Sequence, residues 1–107
     1  MGMFDDREKS FEKAFARDAE LRFRVHSRCA RMLSWWAAGR MNLPPADIEA
    51  WVRDVMARDM QKEGIEDLWA ILQKDMADRN VPVTLDEIRE KSEEFMKKAL
   101  AELAGQG

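Results

Sequence analysis

Three short stretches rich in proline, glycine or asparagine interrupt the chain, and they constrain its fold more than any other feature. They lie at residues 42–45 (Asn-Leu-Pro-Pro), 63–64 (Glu-Gly) and 80–83 (Asn-Val-Pro-Val). Between them, apolar residues recur every three or four positions, and no stretch alternates apolar with polar residues as a half-buried strand does. Three interruptions therefore predict four helices.

Each predicted helix has one apolar face. We expect the first to run from about Asp5 to Met41, the second to start after the prolines, the third to run from Ile65 to about Arg79, and the fourth to open at Thr84. The residues on these faces are Leu21, Val25, Cys29, Met32 and Trp36; Ile48, Trp51, Val52, Val55 and Met56; Ile65, Leu68, Trp69, Leu72 and Met76; and Ile88, Phe95, Ala99 and Leu103. Thr84-Leu85-Asp86-Glu87 is a capping box. Because the connections are short, the chain is predicted to form an all-α four-helix bundle with antiparallel neighbours.

Length and composition limit the classes of protein to consider. A chain of 107 residues has room for one core, and 46% hydrophobic with 36% charged residues is typical of a soluble helical domain. The net charge of -3 gives no reason to expect nucleic acid as a partner. Cys29, the single cysteine, suggests a reducing cytoplasm. The sequence has no signal-peptide pattern and no apolar run of roughly 18 residues, so we expect no direct membrane insertion.

The first residues carry an aromatic stripe in highly charged surroundings. Phe4, Phe11 and Phe15 are separated by nine residues, of which seven are charged. On a helix, the three rings would fall within about 40° of one another. On one straight helix they would point away from the core stripe that begins at Leu21, and the segment would overhang the bundle. We therefore expect residues 1–19 to be a mobile segment, preceding or extending the first helix, that docks on a partner, and residues 20–107 to form the bundle.

The sequence offers little from which to build an enzyme. It has no nucleophile elbow, no Ser–His–acid pattern and no set of metal ligands, so we expect no catalytic residue, metal or cofactor. His26 has no carboxylate or second histidine near it in sequence. Cys29 lies near the core stripe and is expected to behave as a small buried hydrophobe.

Arginines form a second feature of the first helix. The run from Leu21 to Arg40 holds five arginines and no acid. Three of them, Arg24, Arg28 and Arg31, share a helical face, on which they are predicted either to be solvated, with acids of the fourth helix as partners, or to hold an anion or a nucleotide phosphate. Trp35 and Trp36 are adjacent and cannot both face inward, so an exposed Trp35 would be available to stack on a base.

Several blocks of the sequence resemble the zeta inhibitor subunit family of bacterial F-type ATP synthases. The resemblance covers nearly the whole chain and is most specific at the N-terminus. The matching blocks are Phe4-Asp5-Asp6-Arg7-Glu8, Phe11, Phe15, Glu20-Leu21-Arg22-Phe23, Trp36-Ala37-Ala38, Glu63-Gly64 with Glu66-Asp67, Val83-Thr84, Glu87-Ile88-Arg89 and Lys91. His26, Cys29 and Trp35 depart from the pattern expected of the family.

The resemblance implies a non-catalytic inhibitor of ATP hydrolysis. In this family the N-terminal segment enters the catalytic head between alpha and beta subunits, near the gamma shaft, and arrests rotation. Carried onto this chain, the inhibitory contacts are Phe4, Asp5, Asp6, Arg7, Phe11 and Phe15. The implied location is the cytoplasm, peripheral at the inner membrane through the ATP synthase.

Two other functions remain open at this stage. The chain could be a small helical protein that binds a nucleotide or anion weakly through Arg24, Arg28, Arg31 and Trp35. It could also be a self-associating adaptor, since Met-rich faces pack internally or across subunits.

Overall fold

The computed structural model describes residues 18–60 and 64–106, and in that part of the chain every regular element is an α-helix. Helix α1 spans Ala19–Arg40, α2 spans Pro45–Asp59, α3 spans Ile65–Asp78 and α4 spans Leu85–Gln106. The predicted all-α fold with four helices in the bundle is confirmed, with the connections at the predicted proline, glycine and asparagine stretches.

Helix α1 begins later than the sequence suggested. Asp18 has extended backbone angles (φ -104°, ψ 110°), and its Oδ1 accepts hydrogen bonds from the backbone N–H groups of Glu20 at 2.9 Å and Leu21 at 3.2 Å. A carboxylate in this position satisfies N–H groups that the first turn of a helix leaves unpaired. One unbroken helix from Asp5 to Met41 was therefore a wrong prediction. The phase offset between the Phe stripe and the core stripe assumed such a helix, so it does not fix where the rings point.

Two asparagines end α1 and α3. Asn42 and Asn80 have positive φ angles of 52° and 61°, the left-handed conformation that asparagine adopts more readily than other non-glycine residues. At α1 the N–H of Leu43 reaches the carbonyl of Ala38 at 3.2 Å, and α3 ends with the same pattern of bonds. These are Schellman motifs, with asparagine in the place that glycine usually occupies.

Helix α1 packs against α2, α3 and α4 and makes the most extensive contacts of the four helices. The antiparallel arrangement of α1 and α4 is seen in two ion pairs, Arg28 with Glu102 near one end and Arg40 with Glu87 near the other. The largest side chains that are fully buried are Leu33, Leu68, Leu72, Met76, Ile88, Val25 and Val55.

The predicted faces of α2 and α3 pack in or against the core, with Ile48, Met56, Ile65 and Trp69 only partly buried, whereas that of α1 needs correction. Val25 and Cys29 are fully buried as expected, whereas Leu21, Met32 and Trp36 are only partly buried. Leu33, which the predicted stripe omitted, is fully buried. A helix with three neighbours buries a wider surface than one stripe describes.

A polar network joins α2 to α3 inside this core. Asp75 accepts hydrogen bonds from Trp51 Nε1 at 2.9 Å and from Arg58 Nη1 at 3.1 Å. Burial alone would raise the pKa of Asp75, but these hydrogen bonds and the charge of Arg58 outweigh it and lower the pKa. The network holds the carboxylate ionised between the two helices.

None of the four helices is both long enough and apolar enough to cross a bilayer, a finding that covers the described residues alone.

Candidate functional site

A shallow groove of about 490 Å³ runs along the outer face of α1, on the side of α4. Its lining combines two apolar side chains with three arginines and a serine: Phe23, Leu103, Arg24, Arg28, Arg31 and Ser27. All but Leu103 come from α1, where their spacing of three and four residues puts them on one face. We call this surface the arginine groove.

The three arginines differ in their partners. Arg24 pairs with Glu20 at 3.2 Å, one turn earlier, and Arg28 pairs with Glu102 of α4 at 3.7 Å. Within residues 18–60 and 64–106, Arg31 forms no ion pair, which makes it the arginine with most capacity for another anion. The expected pairing of this face with an acid of the fourth helix is thus seen at Arg28.

The groove differs from the predicted anion site in its aromatic residue. Trp35 is 45% exposed, as expected for one of two adjacent tryptophans, but it does not line the groove. Phe23, which is 57% exposed, occupies the aromatic position instead. Phe23 and Leu103 could not be assigned to this groove from the sequence, because their meeting depends on how α4 packs beside α1.

His26 has a partner that its sequence neighbours do not reveal. Its Nε2 lies 2.7 Å from Oδ2 of Asp59, the last residue of α2, whose side chain is only 5% exposed. The hydrogen bond and the negative charge of Asp59 outweigh burial and raise the pKa of His26. The second oxygen of Asp59 is buried and finds no hydrogen-bond partner in the described part of the chain.

Cys29 lies one turn after His26, but the two do not form a catalytic pair. The thiol is fully buried, and its Sγ lies 3.6 Å from the carbonyl oxygen of Ser92 on α4. Burial raises its pKa to about 11, so the sulfur is protonated and not nucleophilic at neutral pH. The side chain acts as a small hydrophobe in the core, as predicted.

Comparison with known proteins decides the family. The family model for ATPase inhibitor subunit zeta matches residues 1–102.

The chain belongs to the ATPase inhibitor subunit zeta family. Comparison with curated proteins and with solved structures gave no match. Membership of the zeta family supports the role of a regulatory inhibitor of ATP synthase, in agreement with the resemblance found in the sequence.

The residues predicted to make the inhibitory contacts fall within the zeta match but outside the described residues. These are Phe4, Asp5, Asp6, Arg7, Phe11 and Phe15. What the structure adds is the position at which this segment joins the bundle, next to Asp18 at the start of α1.

The His26–Asp59 contact predicts a pH-dependent stability. Because the pKa of His26 is raised in the folded protein, its protonated form stabilises the fold fully below the unfolded value of about 6.5. This contribution is lost as the pH rises through the folded pKa. Urea unfolding of the whole chain between about pH 5.5 and 9, which spans the range in which histidine titrates, should show the free energy of unfolding falling as pH rises.

The variant His26→Gln, which has no titrating group at this position, should lose that part of the pH dependence. If wild type and variant show the same change with pH, the contact does not stabilise the fold in this way.

Proposed function

We propose that the protein inhibits ATP hydrolysis by F-type ATP synthase through residues 1–19, which insert as a helix into the catalytic head. The segment would enter between alpha and beta subunits, near gamma, and stop rotation. The protein itself would carry out no catalysis and would act in the cytoplasm, peripheral at the inner membrane through the synthase. Its membership of the zeta family carries this proposal.

The side chains of the segment support this mode of binding. Three phenylalanines on one helical face would each contribute about 1.5–3 kcal/mol if fully buried in a crevice. Ordering a segment on binding costs about 2–5 kcal/mol, which three buried rings can offset. Asp5 and Lys9, four residues apart in a favourable order, would assist the helix that forms.

The start of α1 lies within two residues of the proposed division into a segment of residues 1–19 and a bundle of residues 20–107, since α1 begins at Ala19. Asp18 is not helical and caps α1, so the bundle has its own N-terminal boundary there. A folded bundle outside the crevice would serve as a bulky stop and keep the segment aimed at its site.

Inhibition should depend on the three rings. Replacing Phe4, Phe11 or Phe15 with alanine should raise the concentration for half-inhibition of the cognate synthase by about ten-fold or more, since 1.4 kcal/mol corresponds to a factor of ten. ATP hydrolysis by the purified synthase measures this. Deleting residues 1–17 should abolish inhibition, and that deletion keeps Asp18 as the cap of α1.

The matched control is Leu85→Ala, which removes an apolar side chain that is 48% exposed at the start of α4. It should leave inhibition unchanged. Thermal unfolding would show whether each variant is still folded. Equal potency of the full chain and a folded deletion variant would refute the proposed mechanism.

The arginine groove supports a second candidate function, weak binding of an anion or nucleotide. Arg24, Arg28 and Arg31 line one surface together with an exposed phenylalanine ring, Phe23. Guanidinium groups favour phosphate oxygens, and an aromatic ring can stack on a base. This candidate is compatible with inhibition, because it uses a different part of the chain.

Titration of the full chain with ATP should shift the amide signals of residues 23–31 in NMR spectra if this second function exists. Inorganic phosphate tests whether the base contributes. Arg31→Ala should weaken the shifts, whereas Arg53→Ala, which removes an exposed arginine of α2, should not. Unchanged spectra at millimolar ATP, or equal shifts in both variants, would exclude it.

A further inference from the structure

The arginine groove lies beside the point where the N-terminal segment joins the bundle. Arg24 lines both this groove and a smaller depression formed with Asp18, Glu20 and Leu21. We propose that, in the protein free of ATP synthase, residues 4–15 of its own chain dock along the groove as a helix antiparallel to α1. Interpreting this contact as the resting state of an inhibitor rests on the proposed function. The contact itself does not depend on that function.

The sequence of the segment matches the chemistry of the groove. On a helix, Asp5, Glu8 and Glu12 would fall within about 60° of one another, directly beside the stripe formed by the three phenylalanines. One side of such a helix would therefore be apolar along one edge and acidic along the other. The groove has the complementary composition, with Phe23 and Leu103 beside three arginines.

The spacing of the charges fits one antiparallel alignment. The acids are separated by three and then four residues, and the arginines by four and then three. A single register therefore pairs all of them: Glu12 with Arg24, Glu8 with Arg28, and Asp5 with Arg31. In each of these pairs the two residues are equally far in sequence from Asp18, where the backbone is extended and not helical.

The handedness of the two helices agrees with this register. Around α1, the apolar residue Phe23 precedes the arginines in the direction of increasing helical angle. Around an antiparallel helix of residues 4–15, the phenylalanines precede the acids in the same sense. The rings would consequently lie on the side of Phe23, and the acids would lie on the side of the arginines.

The length of the segment is also sufficient. At 1.5 Å per residue, α1 runs about 20 Å from Asp18 to Arg31, and a helix of residues 4–15 is about 18 Å long. A short turn around Asp18 would complete a helical hairpin, for which connections of about two to five residues are typical.

Docking of this kind must be weak, and the groove shows why. Arg24 and Arg28 already pair with Glu20 and Glu102, so the segment would exchange existing ion pairs at those positions. Arg31 alone among the three offers a charge with no partner in the described part of the chain, and exposed ion pairs stabilise little. A weak contact suits a resting state, because the synthase can compete for the same rings. The apparent affinity for the synthase would be the intrinsic affinity multiplied by the fraction of segments that are not docked.

Paramagnetic broadening of NMR signals tests the contact in the full chain without ATP synthase. Ser10→Cys places a thiol on the side of the segment helix opposite the docking face, and a nitroxide can be attached there. Cys29 should remain unlabelled because it is fully buried and its pKa is about 11. The amide signals of residues 23–31 should lose intensity, unlike those of Asn42 and Asn80 at the other end of the bundle.

Charge reversal separates docking from simple proximity. Arg31→Glu should reduce the docked-to-free ratio by about two- to five-fold, the scale of one exposed ion pair, and thereby restore part of the lost intensity. The matched control Arg53→Glu should change nothing. Combining Arg31→Glu with Asp5→Arg exchanges the charges of the proposed pair and should restore the broadening.

Two results would overturn the proposal. One is broadening that is the same in Arg31→Glu as in the labelled parent chain. The other result comes from mixing two copies of the protein, one isotope-labelled without a nitroxide and one carrying the nitroxide without isotopes. If the signals of residues 23–31 are broadened in this mixture as strongly as within one chain, the groove binds a second molecule. Because the synthase is absent, a negative outcome leaves the proposed inhibition standing, and a failed inhibition assay leaves this test unaffected.

Discussion

The hydrogen bonds of Asp18 to the first turn of α1 are the constraint on which the rest of the account depends. They give α1 a defined start at Ala19 and let the chain leave the helix in an extended conformation. Asp18 therefore marks the N-terminal boundary of the four-helix bundle. A segment that joins the bundle through such a cap can change direction there, which a continuous helix does not allow.

Helix α1 has two functions in this architecture, one on each face. Its inner face packs against all three other helices and carries the fully buried Val25, Cys29 and Leu33. Its outer face carries the arginine groove, and His26 ties its edge to the end of α2 through Asp59. The same helix therefore fixes the bundle and presents a charged surface next to the proposed inhibitory segment.

Sequence reasoning predicted the parts of this fold that local patterns determine. The breaks at proline, glycine and asparagine predicted four helices, and helical spacing predicted the cores of α2 and α3.

Sequence reasoning failed at Asp18, because Asp-Ala-Glu-Leu also suits a helix interior and only the backbone conformation identifies the cap. It also missed the partner of His26, which lies 33 residues away, and the meeting of Phe23 with Leu103, since both depend on tertiary packing. The arginine face was predicted because the spacing of Arg24, Arg28 and Arg31 along one helix is enough to place them together. In the capping box, Thr84 Oγ1 accepts from the N–H of Glu87 as predicted, while the carboxylate of Glu87 pairs with Arg40.

The central claim is that this member of the zeta family reaches the catalytic head with its N-terminal segment and not with its bundle. Photocrosslinking tests this most directly. A photoreactive phenylalanine analogue would replace Phe11 in one variant and the exposed Leu85 in another, and each would be bound to the purified synthase. The account predicts crosslinks to alpha or beta from position 11 and none from position 85. The account would be contradicted if the variant with the analogue at position 11 binds the synthase without crosslinking while the variant at position 85 gives crosslinks.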